Sequence, residues 1–294
     1  MAKYIFLDNW VLSRLVDVEF SNRLSNFIWE RDYAILITRE LMAELYNSKW
    51  KEAGNRDRGF VAASFIGAHP SVIVHPIRLF ESEYLHFPKS LNFIPVELDL
   101  MTIKNELRVQ ALLGILRRDP LLLEKGIDIE KWSNDLREMK STWLDDVKRN
   151  IDHALQNGML KQNEKGEFIV DSAAKEVVLT SLDLRLSNNP DIDSFLNKAS
   201  IRKSKTGKLP RLRGTRITSL CQWYTYIEID RANKLKQQGS DIVDYYHLGL
   251  VPYCSAFTVD TNMHRLLGYV AQDIDISHCD LYSPKTLDDV ISKL

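Results

Sequence analysis

Two short apolar segments, one near each end of the chain, both finish on an aspartate. KYIFLD covers residues 3–8 and SAFTVD covers residues 255–260. Aromatic and β-branched residues are typical of interior strands. A charged side chain is unfavourable inside a buried strand, so we expect it at the point where the chain leaves the sheet. The two segments therefore predict interior strands whose C-terminal ends carry Asp8 and Asp260.

The rest of the N-terminal third alternates between helix and strand patterns, which is typical of α/β proteins. Residues 11–29 and 39–50 carry apolar side chains at helical spacing. YAILIT (33–38) and SVIVHPI (71–77) have the composition of strands instead. We therefore expect an α/β fold with a central parallel sheet flanked by helices, in which the carboxyl ends of the strands meet at one crevice.

The middle of the chain has a different character, because long helical patterns replace the alternation. Residues 132–158 form a strong amphipathic pattern that a glycine closes. We expect a core built from residues 1–96 and 215–294. Residues 97–214 are expected to be a large helical insertion that carries a basic loop at residues 202–216.

The basic loop concentrates the positive charge of the chain. The whole chain has a formal net charge of -1, and the loop holds seven lysines and arginines with no acid, so the other residues together carry -8. These residues are expected either to contact the phosphates of a nucleic acid or to form a solvated loop. They are Arg202, Lys203, Lys205, Lys208, Arg211, Arg213 and Arg216.

Cysteine usage and hydropathy restrict the cellular compartments in which we expect the protein. Cys221, Cys254 and Cys279 lie far apart and form no CxxC pair, which argues against a zinc knuckle or a disulfide framework. No run of about 18 apolar residues is present, and no signal peptide is evident at the N-terminus. We expect a cytoplasmic protein with buried thiols and no membrane contact.

Four carboxylates stand where an α/β sheet would bring them together. Asp8 and Asp260 end strands, Glu44 lies on the helix after the second strand, and Asp241 opens a late helix, with Asp244 as a fifth candidate three residues on. Clustered carboxylates repel one another unless a hard cation neutralises them, and oxygen ligands suit Mg²⁺ or Mn²⁺. Acids are also common at strand ends and helix starts, so each residue alone has a structural alternative.

These segments resemble the PIN-domain superfamily of metal-dependent nucleases. The matching pieces are YIFLD, RELMAELY and GSDIVDYYHLGLVPYCSAFTVD, and the resemblance covers roughly residues 1–95 and 216–294. It also matches Thr258 to the threonine of the Thr-x-Asp ending of the late strand. The catalytic, metal-binding residues that it implies are Asp8, Glu44, Asp241 and Asp260.

The resemblance implies a Mg²⁺- or Mn²⁺-dependent endonuclease that hydrolyses phosphodiester bonds, with RNA favoured over DNA. Many relatives of this kind are toxins or RNA-processing enzymes, and the added helical part would fit a stress or phage-defence effector. The helical insertion has no counterpart in small members, so we expect it to set substrate choice or to bind a partner or inhibitor protein. A catalytically weak binding module and a DNA-directed nuclease are the alternatives.

Several positions near the acids depart from the family pattern or compete with the chosen residues. Asn9 fits the small polar residue expected after the first aspartate, but Trp10 does not. Asn262 stands where a further acid would help to hold a second metal ion. Glu40 precedes the chosen glutamate by one helical turn, and His247 either lines the crevice or packs in the interior.

Overall fold

The computed structural model describes residues 3–47, 56–76, 96–158, 213–225 and 241–293, with a few single residues and pairs between them. The strands are β1 (Lys3–Phe6), β2 (Tyr33–Thr38), β3 (Ser71–Val74), β4 (Val96–Asp99), β5 (Lys161–Gln162), β6 (Phe168–Ile169), β7 (Ala256–Thr258) and β8 (Asp280–Tyr282). The helices are α1 (Asn9–Arg14), α2 (Val18–Glu30), α3 (Arg39–Asn47), α4 (Arg56–Ala68), α5 (Asn105–Arg117), α6 (Pro120–Glu124), α7 (Ile129–Gln156), α8 (Arg213–Trp223), α9 (Asp241–Leu248), α10 (Thr261–Val270) and α11 (Pro284–Ile291).

Six strands form one twisted sheet in the order β4-β3-β2-β1-β7-β8. β1 lies at the centre and pairs in parallel with β2 on one side and with β7 on the other. All six residues of β2 are buried, as expected for a strand covered by helices on both faces. The strands β5 and β6 form a separate antiparallel pair. The predicted α/β class with a mainly parallel sheet is therefore confirmed.

Short polar signals fix where several helices begin and end. Asp17 caps α2, because its carboxylate accepts hydrogen bonds from the N–H groups of Glu19 and Phe20. Ser283 and Thr286 form a capping box at the start of α11. Gly158 follows α7 with a φ of 68°, the left-handed conformation with which many helices end.

The long helix α7 packs against α3, and so joins the middle of the chain to the sheet. Trp132 and Trp143 of α7 are buried. The ring of Trp143 meets that of Tyr245 on α9 edge to face, with the centroids 5.6 Å apart. The Ser133 hydroxyl donates a 2.6 Å hydrogen bond to the side-chain oxygen of Asn47 at the end of α3. Apolar burial and this bond hold α7 in a fixed register on α3.

Two predictions about elements are wrong in detail. The sheet is not wholly parallel, because the edge strand β4 pairs antiparallel with β3. The helical pattern over residues 11–29 forms two helices, α1 and α2, because the chain turns at Leu15 and Asp17 caps a new helix.

The division into a core and a helical insertion stays a prediction. The expected boundary between residues 96 and 97 falls inside β4, which belongs to the main sheet. Helix α8 is described as far as Trp223, and residues 226–240 lie outside the described part. None of the described helices is long and apolar enough to span a bilayer. The three cysteines are buried and unpaired by disulfides.

Candidate functional site

Asp8 lies at the carboxyl end of β1, where it also caps α1. Its Oδ1 accepts a 2.8 Å hydrogen bond from the N–H of Asn9. Its own N–H donates a 2.7 Å bond to the hydroxyl of Thr258 on the neighbouring strand β7. Asp8 is half-buried and lies two residues beyond the last residue of β1.

Thr258 ties the ends of the two central strands together. Its buried hydroxyl donates a 3.1 Å hydrogen bond to the carbonyl of Phe6 and accepts the N–H of Asp8. The rings of Phe6 and Phe257 stack beside it, with centroids 4.5 Å apart. The residue predicted as an accessory to the metal site thus has a clear structural role, which is to align the strand ends.

Asp260 follows β7 in the same way that Asp8 follows β1. Its Oδ1 accepts a 2.8 Å hydrogen bond from the N–H of Met263, so the side chain caps α10. Because β1 and β7 are parallel and adjacent, the two capping aspartates stand at the same edge of the sheet. Asn9 and Asn262 are exposed residues in the first turns of α1 and α10.

The electrostatic environment of Asp8 shows which acids are its neighbours. Burial raises the pKa of Asp8 from 3.8 to about 7, against the opposing effect of the hydrogen bond from Asn9. The negative charges of Asp260 and Glu44 raise the pKa further. The charges of two acids from separate segments therefore act on Asp8.

Glu44 reaches this neighbourhood from α3. Its Oε1 accepts a 2.8 Å hydrogen bond from Nζ of Lys140, which lies on α7. The glutamate side chain is 19% exposed and the lysine side chain is 30% exposed, so the ion pair is only partly open to solvent. A pair of this kind is screened less by solvent than one on the open surface.

Glu40, one turn before Glu44, belongs to a different cluster. It is buried, accepts a 3.0 Å hydrogen bond from Nε of Arg39, and lies 3.4 Å from Nδ1 of His75. Burial alone would raise the pKa of Glu40, but His75 and Arg39 outweigh burial and hold the pKa below its ordinary value. The two glutamates of one helix thus have separate partners.

His247 packs in the interior beneath the crevice. Its Nε2 lies 2.9 Å from the hydroxyl of Thr38, whose oxygen also accepts the N–H of Leu41 in the first turn of α3. The ring lies 5.0 Å from that of Phe6, and burial lowers the pKa of the imidazole. The charges of Glu44 and Glu40 oppose this lowering of the pKa, and that of Lys140 adds to it.

The remaining predicted ligands are only partly described. Asp241 is the first residue of α9, and its side chain lies outside the described part. Asp244 is half-buried on the same helix. Among the side chains that the structure describes, no three histidines, cysteines or acids lie in an arrangement ready to hold one metal ion. Asp8 and Asp260 direct an oxygen at helix N–H groups and Glu44 directs one at Lys140, so the three are neighbours but not a formed coordination shell.

The predicted phosphate-binding residues are described only at the end of the basic loop. Arg213 is exposed at the start of α8. Arg216, one turn later, donates two 3.1 Å hydrogen bonds to the carboxylate of Glu176. Residues outside the described part are Arg202, Lys203, Lys205, Lys208 and Arg211.

Lys140 is the residue at this site that sequence reasoning missed. It lies 96 positions from Glu44 in a helix whose pattern predicts only amphipathic packing. The one signal in the sequence is helical spacing: Lys140 lies seven residues after Ser133 and three before Trp143, and both of these residues are buried. Only the packing of α7 on α3 shows that this lysine faces Glu44.

The comparisons with known proteins leave the family of the chain open. No protein-family model, no curated protein and no solved structure matches the sequence or the fold. The resemblance to PIN domains thus rests on the quoted sequence segments alone.

Proposed function

We propose that the protein is a PIN-like endonuclease that uses Mg²⁺ or Mn²⁺ to hydrolyse phosphodiester bonds, with RNA as the favoured substrate. The observation that carries the proposal is the parallel pairing of β1 with β7, which sets the capping carboxylates of Asp8 and Asp260 at one edge of the sheet. A fold gains no stability from placing like charges together at a crevice. A binding site for a cation accounts for that arrangement.

The donor set suits the proposed ions. Asp8, Glu44 and Asp260 offer carboxylate oxygens, which are the ligands of hard divalent cations, and Asp241 and Asp244 on α9 are candidates to complete the set. A bound ion of this class lowers the pKa of a coordinated water and polarises a phosphate oxygen. The capping bonds of Asp8 and Asp260 fix each carboxylate at the end of its strand, so their positions are set before any ligand arrives.

The proposed reaction is a simple hydrolysis. The oxygen of water forms a bond to phosphorus, and one proton of that water passes to a neighbouring base or to solvent. The bond between phosphorus and the leaving oxygen breaks, and the leaving oxygen takes up a proton. No electrons are transferred, and the products are one phosphate monoester end and one hydroxyl end. Asp8 contributes by holding negative charge beside the attacking water.

Substrate and biological role extend the proposal. The PIN-like pattern favours RNA over DNA, and Arg213 with the rest of the basic loop supplies charge for the sugar-phosphate backbone. A toxin or a stress or phage-defence effector acting in the cytoplasm is consistent with that activity, with the helical middle of the chain as the surface for a partner or inhibitor protein. A second candidate is a catalytically weak binding module, which the ion pair of Glu44 with Lys140 favours.

Neutralising the two capping aspartates tests the nuclease proposal. Asp8→Asn and Asp260→Asn should keep the fold, because asparagine also caps helices. Each variant should lose Mn²⁺-dependent cleavage of single-stranded RNA by about 100-fold or more, since a carboxylate ligand is removed. Cleavage is followed on a labelled oligonucleotide with and without chelator.

A matched control and a binding measurement complete this test. Asp17→Asn alters another capping aspartate, at the start of α2 and away from the strand ends, and should cleave like the wild type. Saturating Mn²⁺ at about 100 times its Kd should stabilise the wild type by about 2.7 kcal/mol. Undiminished cleavage in both site variants would refute the nuclease. Mn²⁺ binding without cleavage in the wild type would select the binding module.

A further inference from the structure

Two consecutive residues from the middle of the chain, Lys175 and Glu176, each contact a residue of opposite charge. Nζ of Lys175 donates a 2.9 Å hydrogen bond to Oδ2 of Asp273, three residues after α10, and a 3.3 Å bond to the hydroxyl of Tyr224, the residue that follows α8. The ammonium also lies 4.8 Å from the centre of the Tyr224 ring, which is a cation–π contact. These contacts fix the position of the neighbouring Glu176 beside α8.

Glu176 holds the guanidinium of Arg216, which lies near the start of α8. The two terminal nitrogens of Arg216 donate 3.1 Å hydrogen bonds to the two carboxylate oxygens of Glu176. Guanidinium groups bind phosphate in the same forked geometry, with two N–H donors directed at two oxygens. Arg216 belongs to the basic loop that would contact the RNA backbone in the proposed function. Glu176 therefore occupies the donors that a phosphate of that backbone would use.

The contact between Glu176 and Arg216 is of a kind that a phosphate can replace. The side chain of Glu176 is 58% exposed, and that of Arg216 is 23% exposed. Exposed ion pairs add little stability, and salt screens them. A phosphate offers the same geometry, and its binding releases counterions from the nucleic acid, which favours the exchange. The side chain of Lys175 is only 22% exposed, so we expect it to keep its contacts while the carboxylate of Glu176 turns away.

We propose that Glu176 is an autoinhibitory contact, which covers Arg216 until the backbone of an RNA strand displaces it. The inference rests on the RNA substrate of the proposed function and adds a regulation of its binding surface. In the free protein, Glu176 holds the guanidinium. A strand that reaches Arg216 gains this phosphate contact only after the carboxylate has left, so the intact ion pair weakens RNA binding.

The affinity for RNA in the absence of divalent ions tests this inference. Wild-type protein, Glu176→Gln, Arg216→Gln and the double variant are compared by fluorescence anisotropy with a labelled single-stranded RNA, in chelator and at several salt concentrations. Glu176→Gln should bind about 3- to 10-fold more tightly than the wild type, and its salt dependence should rise by about one phosphate contact, because Arg216 is released. In the Arg216→Gln background, the same change should alter the affinity by less than about 2-fold, since the guanidinium that the carboxylate covers is gone.

Two further variants separate the inference from a general effect of charge and from misfolding. Asp289→Asn removes an exposed acid from α11 and should bind RNA like the wild type. Thermal melting checks the fold, and Glu176→Ala is a second variant that should show the same gain in affinity. The inference is overturned if neither Glu176 variant binds RNA more tightly than the wild type, including the case in which no RNA is bound at all. It is also overturned if the gain is as large in the Arg216→Gln background.

The binding measurement is independent of catalysis, because it is made without Mn²⁺. Tighter binding by Glu176→Gln supports the autoinhibitory contact even if the wild type cleaves no RNA when Mn²⁺ is added. In that case only the nuclease proposal fails.

Discussion

Two carboxylates of this protein, Glu83 and Asp8, are removed from solvent in opposite ways. Glu83 is buried and accepts hydrogen bonds from the N–H of Gly214, from the N–H and hydroxyl of Thr215, and from the hydroxyl of Tyr253. Burial raises the pKa of Glu83, and these donors oppose the rise. The carboxylate is a structural clamp, which holds the start of α8 to the turn before β7.

Asp8 has far less local support. Within the described residues, its carboxylate accepts one backbone hydrogen bond, from Asn9, and its charged neighbours Asp260 and Glu44 are negative. Internal donors compensate the burial of Glu83, whereas Asp8 has few donors and holds its proton more strongly, with a pKa raised to about 7. A carboxylate with several internal donors has a structural role, and one with few donors and acidic neighbours is a candidate for a functional site.

The largest effect expected from this comparison is on stability. Glu83→Gln should lower the free energy of unfolding by about 2 to 3 kcal/mol, because the amide group turns a donor toward buried donors. Urea denaturation measures the loss. Glu124→Gln, at an exposed position on α6, is the control and should change little. If Glu83→Gln were as stable as the control, the clamp would be refuted.

An effect of similar size is expected from the pH dependence of the metal-free protein. Since the pKa of Asp8 is raised from 3.8 to about 7, the folded state favours the protonated acid, and the stability due to that proton is lost as pH rises through about 7. Asp8→Asn should therefore be more stable than the wild type by about 2 to 4 kcal/mol at pH 8, since solvent screens part of the effect at this half-buried position, and should differ little at pH 4. Thermal melts in chelator measure the difference.

A constant difference between Asp8→Asn and the wild type across that pH range would contradict the raised pKa. Added Mn²⁺ sharpens the comparison, because an ion should stabilise the wild type most at high pH, where Asp8 has lost its proton. The variant should gain less from Mn²⁺ at every pH. Glu83 titrates in both proteins and cancels from the difference.

The smallest effect is expected on RNA binding. Arg213→Gln should weaken binding by about 2- to 5-fold and reduce the salt dependence by about one phosphate contact. Arg216→Gln should have less effect on binding, because that guanidinium is engaged by Glu176. Fluorescence anisotropy at several salt concentrations measures both. Equal binding by both variants and the wild type would show that the described end of the basic loop is a solvated segment that does not contact RNA.

The strands that sequence reasoning located are those whose pattern is dictated by burial. β1, β2, β3 and β7 are runs of apolar residues because helices cover both faces of the sheet. β4 was not predicted, because VELD is a short edge strand in which every residue keeps some exposure and no apolar run is needed. The break between α1 and α2 was not predicted, because the apolar periodicity continues through the turn that precedes α2, the helix that Asp17 caps.

The site was predictable to the extent that it follows from strand ends. Asp8 and Asp260 mark where a buried strand leaves the sheet, and parallel pairing then places them together. Lys140 could not be predicted in this way, because its position depends on how a long helix crosses α3. The separation of Glu40 from Glu44 also depends on tertiary partners, since both residues have the same helical spacing in the sequence.

The hydroxyl of Thr258 has a consequence for the choice of ion. It uses its one proton on the carbonyl of Phe6 and its lone pair on the N–H of Asp8, so it joins the strands that end in Asp8 and Asp260. A valine would have nearly the same size but would leave both backbone groups without this partner. The separation between the two aspartates is therefore set by the main chain, which is rigid here. In the proposed site, two aspartates held at a fixed separation would select the ion by its radius. They would exclude calcium, whose longer oxygen distances require a more flexible set of ligands.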